Sequence, residues 1–134
     1  PLVQPTLKIR KYRASRGTEY FLSIEEKDGS RIGALLRLRI PYFLKRSSSP
    51  PLPELKESAL VREIHTYGQA LPLGVRKEKA VQHRGWGAVL LKKAEEIAKK
   101  EGAKRMAIIS GIGVREYFRK FGYRLFGTYM TKEL

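Results

Sequence analysis

The chain has 134 residues, 42% of them apolar, which is enough for one domain with a real core and too few for two. It holds no cysteine and only two histidines, which excludes disulfides, thiolate metal sites and cysteine nucleophiles and leaves little from which to build a structural metal site. Its 28 basic and 13 acidic residues give a formal charge of +15, an excess that asks for an anionic partner, since a merely ion-rich surface would carry acids in proportion.

No stretch approaches the roughly 18 apolar residues of a membrane span, and Pro1-Leu2-Val3-Gln4 lacks the basic and apolar regions of a signal peptide. A soluble, cytoplasmic protein is expected, with no membrane partner and no reading of its oligomeric state. Because the first residue is not Met, the chain is expected to be a C-terminal piece of something longer.

Residues 7–13 and 18–26 read as extended, the second with Tyr20, Leu22 and Ile24 alternating against Phe21 and Ser23. Lys8, Arg10, Lys11, Arg13 and Arg16 fall within nine residues, in and just after the first of these, and are interleaved with Tyr12, a pattern suited to a phosphate backbone. Lys27-Asp28-Gly29-Ser30 is a turn, and Ile32 to Ile40 places Leu36, Leu38 and Ile40 on one face with Arg37 and Arg39 on the other. That basic face serves equally as a solvated edge or as a binding surface.

Ser47-Ser48-Ser49-Pro50-Pro51-Leu52-Pro53 is a cluster of breakers, so 45–57 is expected to be a flexible loop inside the single domain 1–134. Ala59 to Tyr67 reads as a strand on which Leu60, Arg62, Ile64 and Thr66 alternate with Val61, Glu63, His65 and Tyr67. Gly68 to Val75, with Pro72, is expected to be a bulged or splayed continuation outside the central ladder.

Gln82-His83-Arg84-Gly85-Trp86-Gly87 then opens directly into an amphipathic helix, Ala88 to Lys100. Glycines without Cβ atoms let a ligand approach the backbone, and the free N–H groups of a first helical turn attract anions, so a pyrophosphate is the expected occupant. The same pattern also makes a plain loop-to-helix turn. A Rossmann fingerprint would need a third glycine and a later acidic residue, and a P-loop would need Lys-Ser or Lys-Thr; neither is present. Within the helix, Val89, Leu90, Ala94, Ile97 and Ala98 form the expected buried stripe, and Glu95/Lys99 and Glu96/Lys100 form exposed pairs. Gly102 ends the helix. A short strand (105–110), a glycine turn (111–113), a short helix (114–121) closed by Gly122 and a final strand (123–130) complete an α/β order with a parallel crossover around the long helix.

Gln-x-x-Gly-x-Gly at the head of a long helix, followed by Tyr117-Phe118-Arg119-Lys120-Phe121-Gly122-Tyr123, resembles the acetyl-CoA loop and later helix of the GNAT acetyltransferases. Ala34 to Arg39, Leu60 to Gly68, Gln82 to Gly87, Ile109 to Lys120 and Gly127 to Met130 resemble the C-terminal acetyltransferase domain of the Elongator catalytic-subunit family, over most of 7–134. The resemblance implies an α/β fold with a mixed central sheet, a splayed strand pair and flanking helices. It also implies an acetyl-CoA-dependent enzyme acting on the wobble uridine of tRNA, on the way to 5-carboxymethyluridine.

In that family a radical S-adenosylmethionine domain with an iron–sulfur cluster activates the acetyl methyl group, and the cysteines of such a domain are absent here. This chain is therefore expected to bind acetyl-CoA and tRNA without completing the radical step alone. Carried over residue by residue, the resemblance sets acetyl-CoA against Glu63, Ile64, His65 and Thr66 and its pyrophosphate over Gln82, Arg84, Gly85, Trp86, Gly87 and Ala88. Tyr117 and Phe118 stand where the family has two tyrosines.

A Tyr117 hydroxyl near the thioester would protonate the departing thiolate, whereas Phe118 keeps only packing; both could equally be core aromatics. Glu63 is the candidate general base for an amine acceptor, and His65 could assist or merely donate a hydrogen bond. His83 is read as a phosphate contact or a packing residue. Lys8, Arg10, Lys11, Arg13, Arg16, Arg37 and Arg39 are the candidate RNA-binding residues. Two other readings stay open: a stand-alone protein or amine N-acetyltransferase using Glu63 as base, and a basic RNA-binding module without activity.

Overall fold

Apolar residues that alternate with polar ones through the first 40 positions build a three-stranded antiparallel meander, β1 (Pro5–Ala14), β2 (Gly17–Glu26) and β3 (Arg31–Ile40). A computed structural model describes residues 2–44, 55–72, 85–111 and 114–134, with backbone alone for 68–72. β4 (Ser58–Pro72) pairs antiparallel with β3; α1 (Trp86–Lys100) then crosses over to β5 (Arg105–Ile109), which lies parallel to β4. After α2 (Arg115–Arg119) come β6 (Arg124–Phe126) and β7 (Tyr129–Glu133), giving a seven-stranded mixed sheet in the order β1-β2-β3-β4-β5-β7-β6. The expected parallel crossover is present, and among the described residues no helix is long and apolar enough to cross a membrane.

One face of the sheet packs on α1. Leu22, Leu36 and Leu38 meet Leu90, Leu91 and Ala94, while Met106, Ile108 and Met130 carry the same core across β5 and β7. The helix stripe differs by one position from the expected one: Leu91 is buried and Val89 is 48% exposed. Gly87, Leu90, Leu91, Ala94 and Ala98 follow the 3.6-residue period, and Val89 falls beside that arc. Glu95 does not pair with Lys99 either; it accepts hydrogen bonds from the Tyr123 hydroxyl (2.7 Å) and the Lys132 ammonium (3.1 Å), tying the helix to the last strands. Glu96 pairs with Lys93 rather than Lys100. Gly102, at φ 99°, ends the helix as expected, with the Ala103 N–H returning to the Ala98 carbonyl.

Two bulges set the geometry that matters. The first drops Gly33 out of register, so that Ala34 faces Ile24 and Ile32 faces Glu25. Ile32 thereby turns away from α1 and joins Tyr67, Phe21 and Leu35. The Trp86 ring lies against Gly33, where a Cβ would come within 2.0 Å of it. The second bulge puts Arg62 out of register in β4, between Val61 opposite Leu38 and Glu63 opposite Arg37. It breaks the simple alternation expected for this strand: Ala59 and Val61 face the core before it, Ile64 and Thr66 after it, and Arg62 and Glu63 come out on the opposite side together.

The end of the chain also departs from expectation. A hairpin with Gly127 at φ 63° replaces the single strand 123–130, and its second strand, not its first, pairs with β5. Residues 68–72 return to the β3 ladder, with Leu71 opposite Ile32, so the bulged continuation is present but remains in the sheet. Gly74 and Val75, like most of the expected loop 45–57, lie outside the described residues; at the end of that loop Leu55 is buried in the turn before β4.

Replacing Gly33 by alanine is expected to lower stability by about 1–3 kcal/mol, because neither the Trp86 ring nor the bulge can yield to the added methyl without repacking. Denaturant unfolding checks this, and a melt matching the parent would show that the ring does not rest on this glycine.

Candidate functional site: a cleft at the splayed edge of β4

The parallel ladder between β4 and β5 runs from Ser58 opposite Arg105 to Val61 opposite Ile108 and stops there. A bulged strand twists more sharply than its neighbour, so the Arg62 bulge pulls the rest of β4 away from β5. Between them opens a cleft of about 270 Å³, walled by Arg62 to Thr66 on one side and by Ile109, Val114 and Tyr117 on the other, with Phe118 among its lining. On the side facing β5, the β4 backbone beyond Val61 has lost its strand partner, and hydrogen-bonding groups on an open edge await an extended ligand.

The first turn of α1 lies beside this cleft. Gly85, at φ 86°, occupies the N-cap position without a side-chain hydrogen bond, so the first helical N–H groups have no capping side chain. Gly87 is buried between Thr66 and Tyr117: a Cβ there would come within 2.2 Å of the Tyr117 hydroxyl and 3.5 Å of Thr66 Cγ2. The glycine that began as a phosphate-loop candidate thus makes room for a tyrosine oxygen. No described residue hydrogen-bonds to that hydroxyl, and burial pushes its pKa up, so it keeps its proton at neutral pH.

Phe118, 3% exposed, packs edge-on against Tyr117 and Tyr123 and belongs to the core as much as to the cleft. Trp86 packs on Gly33, and Ala88 is half-buried in the same first turn. Gln82, His83 and Arg84 lie outside the described residues, as do Ile112 and Gly113 of the second glycine turn.

Glu63 and His65 stand at the cleft's other lip and share a face with Tyr67, as expected. Both Glu63 oxygens are engaged: Oε2 accepts from Arg37 Nε and Oε1 lies 2.9 Å from His65 Nε2. His65 stacks on Tyr67 at 6.4 Å. A carboxylate so held orients its neighbours better than it abstracts a proton. Among the described residues no group of three or more metal-ligating side chains gathers.

Glu63 also opens onto a wider bowl of about 850 Å³ on the sheet face away from α1, lined by Tyr12, Glu19, Arg37, Arg39 and Arg62. The basic face expected there is present, but its cations are paired. Arg39 and Arg62 reach Glu19, and Arg39 also donates to the carbonyls of Ala14 and Ser15. Arg10 and Lys8 reach Glu25, which is 1% exposed and also accepts from Ser23. Burial would raise the Glu25 carboxyl, but hydrogen bonds from Arg10 and Ser23 and the charges of Arg10 and Lys8 outweigh it and hold the carboxyl below its usual range. This network was not legible in the sequence, because it joins residues 15 to 43 positions apart through strand register.

The acetyltransferase (GNAT) family model matches residues 5–123. Among curated proteins the chain is 44% identical over 127 residues to Elongator complex protein 3 of Drosophila melanogaster, covering 93% of the chain and 22% of that protein. It is 46% identical over 134 residues to the tRNA uridine(34) acetyltransferase of Dehalococcoides mccartyi, covering 98% and 28%. Among solved structures, the Elp3 of the archaeon Methanocaldococcus infernus lacking residues 1–46 superimposes with a TM-score of 0.80 at 45% identity, over 98% of this chain and 30% of that one. A Bacillus subtilis acetyltransferase in complex with CoA shares the fold, with a TM-score of 0.52 at 16% identity over 96% and 99%. The chain spans between a fifth and a third of the length of the first three.

Two predictions follow from the geometry. Gly87→Ala should unseat Tyr117 and destabilise the fold by about 1–3 kcal/mol, and adding Tyr117→Phe should restore most of the loss, because it removes the oxygen that the methyl strikes. A double-mutant cycle checks it, and strict additivity would contradict the contact. Because the folded carboxyl of Glu25 titrates below the unfolded one, its stabilisation is complete above the ordinary carboxylate range and is lost as pH falls through the folded value. Glu25→Gln should accordingly flatten the acid limb of a stability–pH curve; an unchanged limb would assign acid unfolding to other carboxylates.

Proposed function

The chain belongs to the acetyltransferase (GNAT) family, and from that premise we infer that it is the acetyl-CoA-binding domain of an enzyme modifying the wobble uridine of transfer RNA. The observation that carries the cofactor assignment is the splay at Val61 and Ile108, which ends beside the uncapped first turn of α1. Residues 62–66 of β4 offer an open edge to the amides of a pantetheine arm, and Ile109 and Val114 offer apolar wall to its methylenes. The N–H groups at Gly87 and Ala88 in the first turn of α1 offer an anion site for the pyrophosphate.

Acetyl-CoA, once bound, supplies the thioester carbonyl and a thiolate leaving group. The Tyr117 hydroxyl, protonated and directed at Gly87, is the group of this chain placed to return a proton to the thiolate sulfur. Phe118 supports the Tyr117 ring and takes no proton. Glu63, fixed by Arg37 and His65, does not act as the base that an amine acceptor would require, which favours the uridine reading over the stand-alone amine acetyltransferase.

The names of the curated relatives point the acceptor toward tRNA, and the +15 charge agrees with a polyanionic partner. Activation of the acetyl methyl belongs, in this reading, to a radical S-adenosylmethionine domain elsewhere in the protein.

Acetyl-CoA at a hundredfold over its Kd should stabilise the domain by about 2.7 kcal/mol, several degrees in Tm. Absence of any shift at millimolar ligand would overturn the assignment. Tyr117→Phe should retain that shift while slowing tRNA-dependent CoA release by at least about 100-fold, and unchanged release would remove Tyr117 as the acid.

A further inference from the structure

The seven cations read from the sequence as RNA-binding divide into two classes once the fold is known. Lys8, Arg10, Arg37 and Arg39 each lie within 4.0 Å of a carboxylate, and those carboxylates, Glu25, Glu63 and Glu19, are half-buried or buried. The charge of such cations is offset by a neighbouring carboxylate, so a phosphate gains less from them than from an unpaired cation. Lys11, Arg13 and Arg16 have no carboxylate partner among the described residues, and all three are exposed.

They also sit together. Arg13 pairs with Thr18, and Thr18 with Ile40, so Arg13 lies on the α1 side of the sheet, opposite the paired cations, at the end where β1 turns into β2. The turn is made by Ser15 (φ 49°) and Arg16 (φ 67°), and the Arg39 guanidinium donates to the carbonyls of Ala14 and Ser15, which fixes it. Arg16 leaves this turn with its guanidinium 4.8 Å over the Tyr42 ring, and Lys11 lies 5.5 Å over Tyr20. A cavity of about 350 Å³ lies at the Arg16 end, lined by Arg13, Arg16, Thr18, Ile40, Pro41 and Tyr42, with no acidic residue among its lining.

We propose that this hairpin end, Lys11, Arg13 and Arg16 against Tyr42, is the anchor for the sugar-phosphate backbone of an RNA. The proposal rests on the reading that the acceptor is an RNA, and it assigns the grip to the unpaired cations instead of the whole basic segment. The position has a consequence for substrate size. The cleft wall Glu63 to Thr66 lies opposite Arg37 to Ala34 of β3, whereas Arg13 lies in β1, three strands or roughly 14 Å across at about 4.8 Å per strand, and level with Ile40, three residues or roughly 10 Å further along at about 3.3 Å per residue. A lone nucleoside in the cleft cannot reach the anchor, whereas a folded RNA spans both. Since the Tyr42 ring is engaged by Arg16, the anchor reads charge and not base identity.

The test is tRNA binding by fluorescence anisotropy between 50 and 200 mM KCl, on the parent and on Lys11→Gln/Arg13→Gln/Arg16→Gln. A control loses the same net charge from the exposed face of α1: Lys92→Gln/Lys99→Gln/Lys100→Gln. The anchor variant should lose about 2–3 units of the slope of log affinity on log salt, at about 0.7–0.9 per phosphate contact, while keeping the parent's acetyl-CoA-induced Tm shift. The control should lose less than about one unit. An anchor variant with the parent's slope, or a control that loses as much, overturns the proposal while leaving the RNA reading intact. A parent that does not bind tRNA at 50 mM KCl overturns that reading and the anchor with it.

Discussion

The ladder between β4 and β5 holds from Ser58 to Val61 and then gives way at Arg62, and the rest of the molecule is arranged around that break. A parallel pair left in register would close the sheet over the space where the cleft now stands. The bulge prevents this by placing two successive side chains, Arg62 and Glu63, on the same face, and Glu19 and Arg37 hold them there. α1 then delivers its first turn to the open end, where Gly87 makes room for Tyr117 and Gly33 makes room for Trp86. Both glycines act through the absence of a side chain: one admits the Tyr117 hydroxyl, the other an indole at the first turn of the helix.

Charge in this domain has two separate uses. Across the face of β1 to β4, the cations Lys8, Arg10, Arg37, Arg39 and Arg62 gather on the carboxylates of Glu25, Glu63 and Glu19, with Glu25 and Glu19 as buried centres, and the pairs tie neighbouring strands together. Exposed cations with no carboxylate partner among the described residues, Lys11, Arg13 and Arg16 among them, stay available to an outside anion. A single figure of +15 does not distinguish these uses, since a paired arginine and a free one count alike.

How much of this could be read from the sequence depended on the range of the interaction. Local patterns were legible: the alternation of β2 and β3, the long helix expected from Ala88, which begins two residues earlier at Trp86, its stop at Gly102, and the parallel crossover between β4 and β5. The elements that flank the cleft were legible because Gly85, Gly87 and Tyr117 belong to a spaced pattern. Strand register was not, and most of the corrections trace to it, the helical position of Val89 and the Lys93 partner of Glu96 excepted. The Arg62 bulge reset the faces of β4, the Gly127 turn split the last strand in two, and Glu95 turned from Lys99 to Tyr123 and Lys132. The paired state of Arg10 and Arg37 was hidden for the same reason, because their carboxylates come from other strands.

The central claim is that the freed edge of β4 is completed by the pantetheine arm of the cofactor. Amide hydrogen exchange with and without acetyl-CoA tests it most directly. Protection should rise at alternate amides within 62–67, those that face away from β3, and stay unchanged at 58–61, which β5 already pairs. Protection that rises at 58–61, or that leaves 62–67 untouched while acetyl-CoA is bound, would contradict the account.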